Sequence, residues 1–334
     1  MGMRFRKSVN LGGGVRLNLN KKSVSVSAGA KGARVTVNSK GQRTSTVSAP
    51  GTGLSYRATS STEGTARAGS SPTLTPQLAT PGRFAPRAEK ALYAAVQAGL
   101  GGAHPESWLT VFCEWSNDPK FGFAAQTLGG LIAFARQVDP IIARDLLDQS
   151  LHSRLDPAVD PFIVKYASFG LNVTAVGREY PYLLGRDLVA MAVTVLYERA
   201  GNHAQAALAA DQLTPSPLHR VVQLEHALEL ENYQRVLAMT DALPNHGELD
   251  AMALVLRGIA LRDVGDSDAA LTTFTAAKLT AAQDPEVRYR GLLERARIYA
   301  ERGQVAKARK DLNTIVAWDS DYPGVREAIA LLDA

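Results

Sequence analysis

Two stretches near the end of the chain decide its fold: Gly265-Asp266-Ser267-Asp268-Ala269-Ala270 and Gly303-Gln304-Val305-Ala306-Lys307-Ala308. They lie 38 residues apart, and each has a glycine followed by a polar residue and small helix formers, as at a turn that leads into a helix. Phe274 and Leu312 keep the same offset. Repeats of this length, each built from two helices and a turn, predict an α-solenoid.

Looser copies of the pattern come earlier in the chain. The turn positions Gly201, Asn232, Gly265 and Gly303 are 31, 33 and 38 residues apart. We therefore expect helical repeats over residues 186–334, with the clearest copies at the end.

The repeats resemble the tetratricopeptide repeat. The positions that match its characteristic residues are Gly258, Leu261, Gly265, Ala270, Phe274 and Ala277 in one copy and Ala296, Tyr299, Gly303, Ala308 and Leu312 in the next. The resemblance covers residues 186–333. It implies that the first helix of each hairpin lines a concave groove that binds a protein or peptide partner.

The resemblance also implies which residues line that groove. They are Leu188, Met191, Val195, His219, Val222, His226, Met252, Val255, Ile259, Arg262, Arg290, Leu293 and Arg297. Such a surface is apolar at one end and cationic at the other, so its arginines are suited to an acidic segment or a chain-terminal carboxylate. The alternative is that the arginines pair with Glu294, Glu301 and Asp263 on a solvated surface.

Charge is concentrated at the opposite end of the chain. The first 62 residues carry eleven of the 37 Lys and Arg residues and none of the 32 acidic ones. This asymmetry, within a net charge of +5, indicates two modules with different partners.

The basic segment has the pattern of short strands. Apolar and polar residues alternate from Val15 to Tyr56, and turn-forming stretches such as Asn38-Ser39-Lys40-Gly41 separate the runs. We predict an antiparallel meander of four or five strands over residues 1–57. Gly14-Val15-Arg16-Leu17, Gly32-Ala33-Arg34-Val35 and Pro50-Gly51-Thr52-Gly53 resemble the bacterial family catalogued as domain of unknown function 4236, which has no assigned activity.

The basic residues of this module are candidates for contacts with an anionic surface. They are Arg4, Arg6, Lys7, Arg16, Lys21, Lys22, Lys31, Arg34, Lys40 and Arg43. They suit contacts with phosphates of nucleic acid or lipid headgroups. The alternative is a solubilising coat that protects strand edges. Because so small a sheet cannot form a hydrophobic core alone, its apolar face must pack on the helical domain or on another copy of the chain. Packing on another copy would make the chain oligomeric.

Between these modules we predict a linker and a helical region. Twenty of the 25 residues from Ala58 to Gly82 are Ser, Thr, Gly, Ala or Pro, so residues 58–83 are expected to form a flexible linker. Residues 84–185 have the apolar spacing of helices, with a short β-hairpin near residues 162–176, where β-branched residues cluster. Cys113, among bulky apolar neighbours, is expected to be buried.

The fold class is therefore α+β: a small N-terminal antiparallel β-meander, a flexible linker and an all-α, tetratricopeptide-like helical-repeat domain. No phosphate-binding loop, nucleophile elbow or convergent metal-ligand motif is present, and His219 and His226, seven residues apart, do not have zinc-site spacing. We expect a non-enzymatic, cytoplasmic adaptor or scaffold without a cofactor or a transmembrane segment. The alternative is a protein that binds nucleic acid or an anionic surface through residues 1–57.

Overall fold

The computed structural model describes residues 79–101, 103–167, 170–176 and 178–333, and before them only the backbone of six short strands. Those strands, β1 to β6, are Ser8–Asn10, Arg16–Asn18, Ser25–Ala28, Ala33–Asn38, Gln42–Ser48 and Ser55–Ser61. The side chains of residues 1–57 and most of the predicted linker lie outside the described residues, so the meander stays a prediction. The described part of the chain holds fourteen α-helices, and it divides into two compact units.

The first unit is mostly helical. From residue 79 onward, its described part covers residues 79–101, 103–167, 170–174 and 179–213. Its helices are α1 (Arg87–Leu100), α2 (Glu106–Trp115), α3 (Gly122–Arg136), α4 (Pro140–His152), α5 (Pro161–Tyr166), α6 (Arg186–Arg199) and α7 (His203–Ala210). A 3₁₀ turn spans Pro157–Val159, and the neighbouring strands β7 (Gly170–Ala175) and β8 (Arg178–Leu183) precede α6.

Helix α3 forms the centre of this unit. It packs against α2 on one side and α4 on the other, and Leu128, Leu131 and Ile132 are almost completely buried. The close approach depends on two glycines. A Cβ at Gly129 would lie 2.6 Å from the Phe112 Cβ, and one at Gly130 would lie 2.5 Å from the Leu147 Cγ.

Two sequence expectations in this region are corrected. The β-branched run Phe162-Ile163-Val164-Lys165-Tyr166 is helical because Asp160 caps α5 by accepting hydrogen bonds from the amides of residues 162 and 163, so the strands lie later, within residues 170–183. Cys113 is exposed, because the buried face of α2 is formed by Trp108, Leu109 and Phe112.

The second unit runs from residue 214 onward and takes in the turn Ala175–Arg178. Its helices are α8 (Pro217–Glu229), α9 (Tyr233–Met239), α10 (Glu248–Asp263), α11 (Ser267–Ala276), α12 (Pro285–Glu301), α13 (Val305–Val316) and α14 (Val325–Asp333). From residue 186 onward, the described chain is all-helical, as the sequence predicted. The hairpin of α6 and α7 belongs to the first unit, where α6 packs on α4.

The predicted turns lie where the glycine spacing placed them. Gly201, Gly265 and Gly303 have φ values of 71°, 89° and 66°, a left-handed conformation that glycine adopts without a steric penalty. In the remaining turn Glu231, with φ of 55°, takes this conformation, while Asn232 caps α9 through a hydrogen bond from the Arg235 amide.

Close contacts between small and large side chains hold each helical hairpin together. Ala270, Phe274 and Ala277 are fully buried, and a Cβ at Gly258 would lie 2.5 Å from the Phe274 ring. These are positions that carried the repeat resemblance. A second apolar cluster forms where α12, α13 and α14 meet, around Leu312. None of the described helices combines the length and apolar character needed to cross a bilayer.

Candidate functional site

The first helices of three successive hairpins form a row in the second unit. Helix α10 packs against α8 on one side and against α12 on the other, and α14 packs against α12. Each first helix also packs on the second helix of its own hairpin: α8 on α9, α10 on α11 and α12 on α13. The face of α8, α10 and α12 that points away from those partners is the surface that the repeat resemblance predicted as a groove.

Most of the predicted groove positions other than the arginines are buried. The buried candidates are Leu188, Met191, His219, Val222, His226, Met252, Val255 and Leu293. Met252 and Val255 belong to the apolar core of the second unit, and Leu293 belongs to the cluster with α13 and α14. Such side chains hold neighbouring helices together, so they are closed to a partner in this structure. Val195 and Ile259 are the apolar candidates that remain partly exposed.

The two predicted histidines have structural partners. The His219 ring Nδ1 lies 2.5 Å from the Thr214 carbonyl oxygen, and its backbone amide donates to the Ser216 hydroxyl, which caps α8. His226 is buried and also has an interaction partner. No group of three or more metal-binding side chains converges within the described residues.

The charged candidates form a network across the row. Arg290 on α12 donates to both carboxylate oxygens of Glu225 on α8, with 2.9 Å between Nη2 and Oε2. Glu225 is 8% exposed and Arg290 is 23% exposed, so the pair is largely withdrawn from water. Burial alone would lower the pKa of the Arg290 guanidinium, but the charge and hydrogen bonds of Glu225 raise it above its ordinary value.

This ion pair joins the two helices that flank α10. Helix α10 packs against both α8 and α12, so the Arg290–Glu225 contact ties the first and third members of the row to each other. We call the face of α8, α10 and α12 that points away from their second helices the inner side of the row.

The other two arginines share a second carboxylate. Arg262 donates to Asp263, with 2.8 Å between Nε and Oδ1, and also to Glu294 on α12. Arg297 donates to both oxygens of Glu294 at 2.9 and 3.1 Å. Of the partners named by the alternative drawn from the sequence, Glu294 and Asp263 pair with these arginines, and Glu301 forms no such pair within the described residues. Glu294 is buried, however, and does not lie on a solvated surface.

Arg297 is the most accessible cation of this network, since its side chain is 42% exposed while that of Arg262 is 16% exposed. Both of its hydrogen bonds use Nη1, and its Nη2 and Nε make none within the part of the chain that the structure describes. Arg297 therefore has donors available for a further carboxylate.

Two ion pairs between helices were not predicted from the sequence. Glu225 was not predicted as a partner of Arg290, because 65 residues and an intervening hairpin separate them. Arg295 binds both carboxylate oxygens of Asp311 at 2.7 and 2.8 Å and so joins α12 to α13. An acidic residue at a core-facing helix position is the signal that could have indicated either pair.

The predicted anionic-surface residues cannot be placed in this site. Arg4, Arg6, Lys7, Arg16, Lys21, Lys22, Lys31, Arg34, Lys40 and Arg43 all have side chains outside the described residues. Their role stays a prediction.

Comparisons with known proteins bear on separate parts of the chain. Residues 3–57 match the family described as "Protein of unknown function (DUF4236)", which confirms the N-terminal resemblance. The search of curated proteins finds no match. Among solved structures, the chain is similar to the N-terminal domain of the EccA1 ATPase from the ESX-1 secretion system of Mycobacterium tuberculosis. The identity is 17% and the TM-score 0.48, over 74% of this chain and 89% of that one.

Proposed function

We propose that the chain is a non-enzymatic adaptor or scaffold, built from tetratricopeptide-like repeats over residues 186–333 and carrying a tethered basic β-module. Its working surface is the inner side of the row α8, α10 and α12, and its partner is a protein or peptide. The observation that carries the proposal is the Arg290–Glu225 pair, because it ties α8 to α12 and so holds the row in place before any partner arrives.

A surface that is held in place before its partner arrives favours peptide binding for an energetic reason. A partner that docks on a rigid surface avoids the cost of ordering that surface, so more of the contact energy appears as affinity. The buried groove positions contribute to this rigidity rather than to contact. The contacts themselves fall to the partly exposed side chains, above all Ile259 and Arg297.

The charge pattern specifies the chemistry of the partner. Arg290 is satisfied by Glu225, and Arg262 by Asp263 and Glu294. Arg297 shares Glu294 with Arg262 and keeps free donors, so an acidic side chain or a terminal carboxylate of the partner is expected to bind there.

Site-specific photocrosslinking of the full chain tests this proposal. A photoreactive amino acid placed at Ile259 or Arg297 is expected to capture the same partner from the cells that make the protein. The same photoreactive amino acid placed at Thr272 or Lys310, exposed positions on the second helices α11 and α13, is not expected to capture that partner. Equal capture at both sets of positions would rule out the inner surface as the docking site.

Affinity measurement with the captured partner then tests the role of charge. Arg297→Glu is expected to weaken binding by about tenfold or more, which corresponds to about 1.4 kcal/mol. Lys310→Glu makes the same charge change on an outer helix and should leave the affinity unchanged. Unchanged binding by the Arg297 variant would contradict the assigned carboxylate contact.

A second candidate function has its own support in the charge of the first 62 residues, eleven basic and none acidic. In it, the basic β-module binds nucleic acid or an anionic surface and the helical repeats recruit other proteins. Phosphate contacts release counterions, so binding of the full chain to labelled DNA or RNA should weaken steeply between about 50 and 200 mM salt. A chain of residues 84–334 should then bind neither. Equal binding by both chains would argue against the β-module as the contact surface.

A further inference from the structure

The first unit contains a cleft of its own. It is formed where α3 and α6 end and α4 begins, and its volume is about 390 Å³. Its walls are mostly apolar, with Phe134 and Val138 from α3 and its end, Ile141 from α4 and Leu196 from α6. Ligand pockets in proteins span about 300–1,000 Å³, so this cleft suits a small ligand.

Two arginines also line the cleft, Arg144 from α4 and Arg199 from α6. The Arg144 Nε and Nη2 bind the Asp145 Oδ1 at 3.2 and 2.9 Å, while its Nη1 makes no hydrogen bond within the described residues. The side chain of Asp145 is 56% exposed. An ion pair with so exposed a carboxylate is weak, so Arg144 can also bind a second anion.

Arg199 is the less compensated of the two cations. Within the part of the chain that the structure describes, its guanidinium has no hydrogen bond or ion pair, and only the charge of Glu198 acts on it favourably. Arg199 is exposed, but partial desolvation of its guanidinium lowers its pKa. The negative charge of Glu198 acts in the opposite direction and raises the pKa.

Besides Asp145, which pairs with Arg144, two nearby carboxylates have other hydrogen-bond partners. Asp139 caps α4 by accepting a hydrogen bond from the Ile142 amide, and Asp148 accepts one from the Tyr197 hydroxyl. The start of α4, a helix of thirteen residues, adds partial positive charge at the cleft, whereas the ends of α3 and α6 add partial negative charge. The two arginines therefore supply the attraction for an anion. The cleft thus combines apolar walls with cationic groups that retain free donors.

We propose that this cleft binds a small apolar anion, with its carboxylate against Arg144 and Arg199 and its hydrocarbon part against Phe134, Val138 and Leu196. A free carboxylic acid and the terminal carboxylate of an apolar peptide share this chemistry. The site is independent of the adaptor role, because it uses none of the residues of α8, α10 or α12.

Calorimetric titration of the full chain with sodium octanoate tests the proposal. One octanoate is expected to bind per chain, more tightly than 1-octanol or octylammonium, which have the same hydrocarbon chain without the negative charge. Arg144→Gln and Arg199→Gln should each weaken octanoate binding by about tenfold, while Arg154→Gln, which removes an exposed arginine of the same unit outside the cleft, should leave it unchanged.

Ile141→Asp provides a second variant that preserves the fold, because Ile141 is 60% exposed. It places a negative charge in the cleft wall and should abolish octanoate binding, whereas Val159→Asp, at an exposed position outside the cleft, should not. Absence of octanoate binding at millimolar concentration, or equal binding by all variants, would overturn the proposal.

A further pair of ligands distinguishes the two sources of the anion. A short peptide ending in leucine is compared with its C-terminal amide. Tighter binding of the free acid than of both the amide and octanoate identifies a chain terminus as the ligand. Tighter binding of octanoate than of either peptide identifies a free acid. Each result supports the apolar-anion site, and binding of the amide as tightly as the acid would count against it.

Discussion

Helices α3 and α12 are each central to a compact unit, but opposite kinds of contact hold them in place. Helix α3 has a single charged residue, Arg136 at its end, and two glycines that let α2 and α4 come close. Helix α12 has four arginines, and the pairs with Glu225 and Asp311 tie it to other helices. Close apolar packing therefore dominates the contacts of α3, whereas ion pairs are prominent among those of α12.

This difference has a practical consequence for each unit. Apolar contacts depend on how well the side chains fill space, so the first unit should respond most to changes of volume. Buried ion pairs are screened little by salt, but a partner left alone in the interior is costly. The second unit should therefore respond most to the loss of one charge.

The largest effect is expected from breaking the Arg290–Glu225 pair. Glu225→Gln leaves the arginine without a counter-charge in a largely buried site, so the free energy of unfolding of the second unit should fall by about 3–5 kcal/mol. Urea unfolding followed by the fluorescence of Trp318, the tryptophan of the second unit, measures this loss.

An exposed pair provides the matched control for that prediction. Arg302 donates to Asp268, whose side chain is 87% exposed, so Arg302→Met should change the unfolding free energy by less than about 1 kcal/mol. The double variant Glu225→Leu with Arg290→Met should regain much of the lost stability, because it removes both charges. If the double variant were as unstable as the single one, the cost would lie in packing rather than in charge.

The next largest effect is expected in the first unit from Gly130→Ala. The added Cβ would lie 2.5 Å from the Leu147 Cγ and 3.1 Å from the Ala143 carbonyl oxygen. We expect overpacking to destabilise the unit by about 1–3 kcal/mol, despite the better helix propensity of alanine. Unfolding monitored through Trp108 and Trp115 measures this change. Gly82→Ala, with no atom within 4 Å of the new Cβ, should have no measurable effect.

A smaller effect is expected from a buried hydrogen bond between α3 and α4. The hydroxyl oxygens of Thr127 and Ser150 are 2.7 Å apart, and both residues are buried. Thr127→Val should destabilise the first unit by about 1–2 kcal/mol, because the serine hydroxyl loses its partner. Thr127→Val combined with Ser150→Ala should be less destabilising than the single change; a larger loss in the double variant would refute this assignment.

The smallest effect is expected at a repeat turn in the second unit. The Asp266 side chain accepts a hydrogen bond from the Ala269 amide and caps α11. Asp266→Ala should lower the unfolding free energy by about 1 kcal/mol, and Asp266→Asn should preserve most of it. Amide hydrogen exchange in the first turn of α11 reports this change directly, and unaltered exchange would show that the cap contributes little.

Local sequence signals predicted the helices well. The apolar spacing indicated helices within residues 84–185, and α1 to α4 lie there. The glycine spacing likewise indicated the turns at Gly265 and Gly303. These features depend on backbone conformation and on neighbours a few residues away, which the sequence shows directly.

The candidate site was less predictable, because burial depends on distant neighbours. A helix with apolar residues on several faces does not reveal which of those faces a neighbouring helix covers. Val255 and Met252 were thus assigned to an open groove but lie in the core. Cys113 was assigned to the core but lies on the exposed side of α2.

The sequence by itself determined that the second half of this chain is helical, where its hairpins turn, and that its positive charge is concentrated at the front. These properties follow from local propensity, glycine and composition. Only the tertiary structure decided that Arg290 meets Glu225 across an intervening helix and that Arg144 and Arg199 border one cleft. Such pairings depend on how the helices pack against one another, and contacts across the whole fold set that packing.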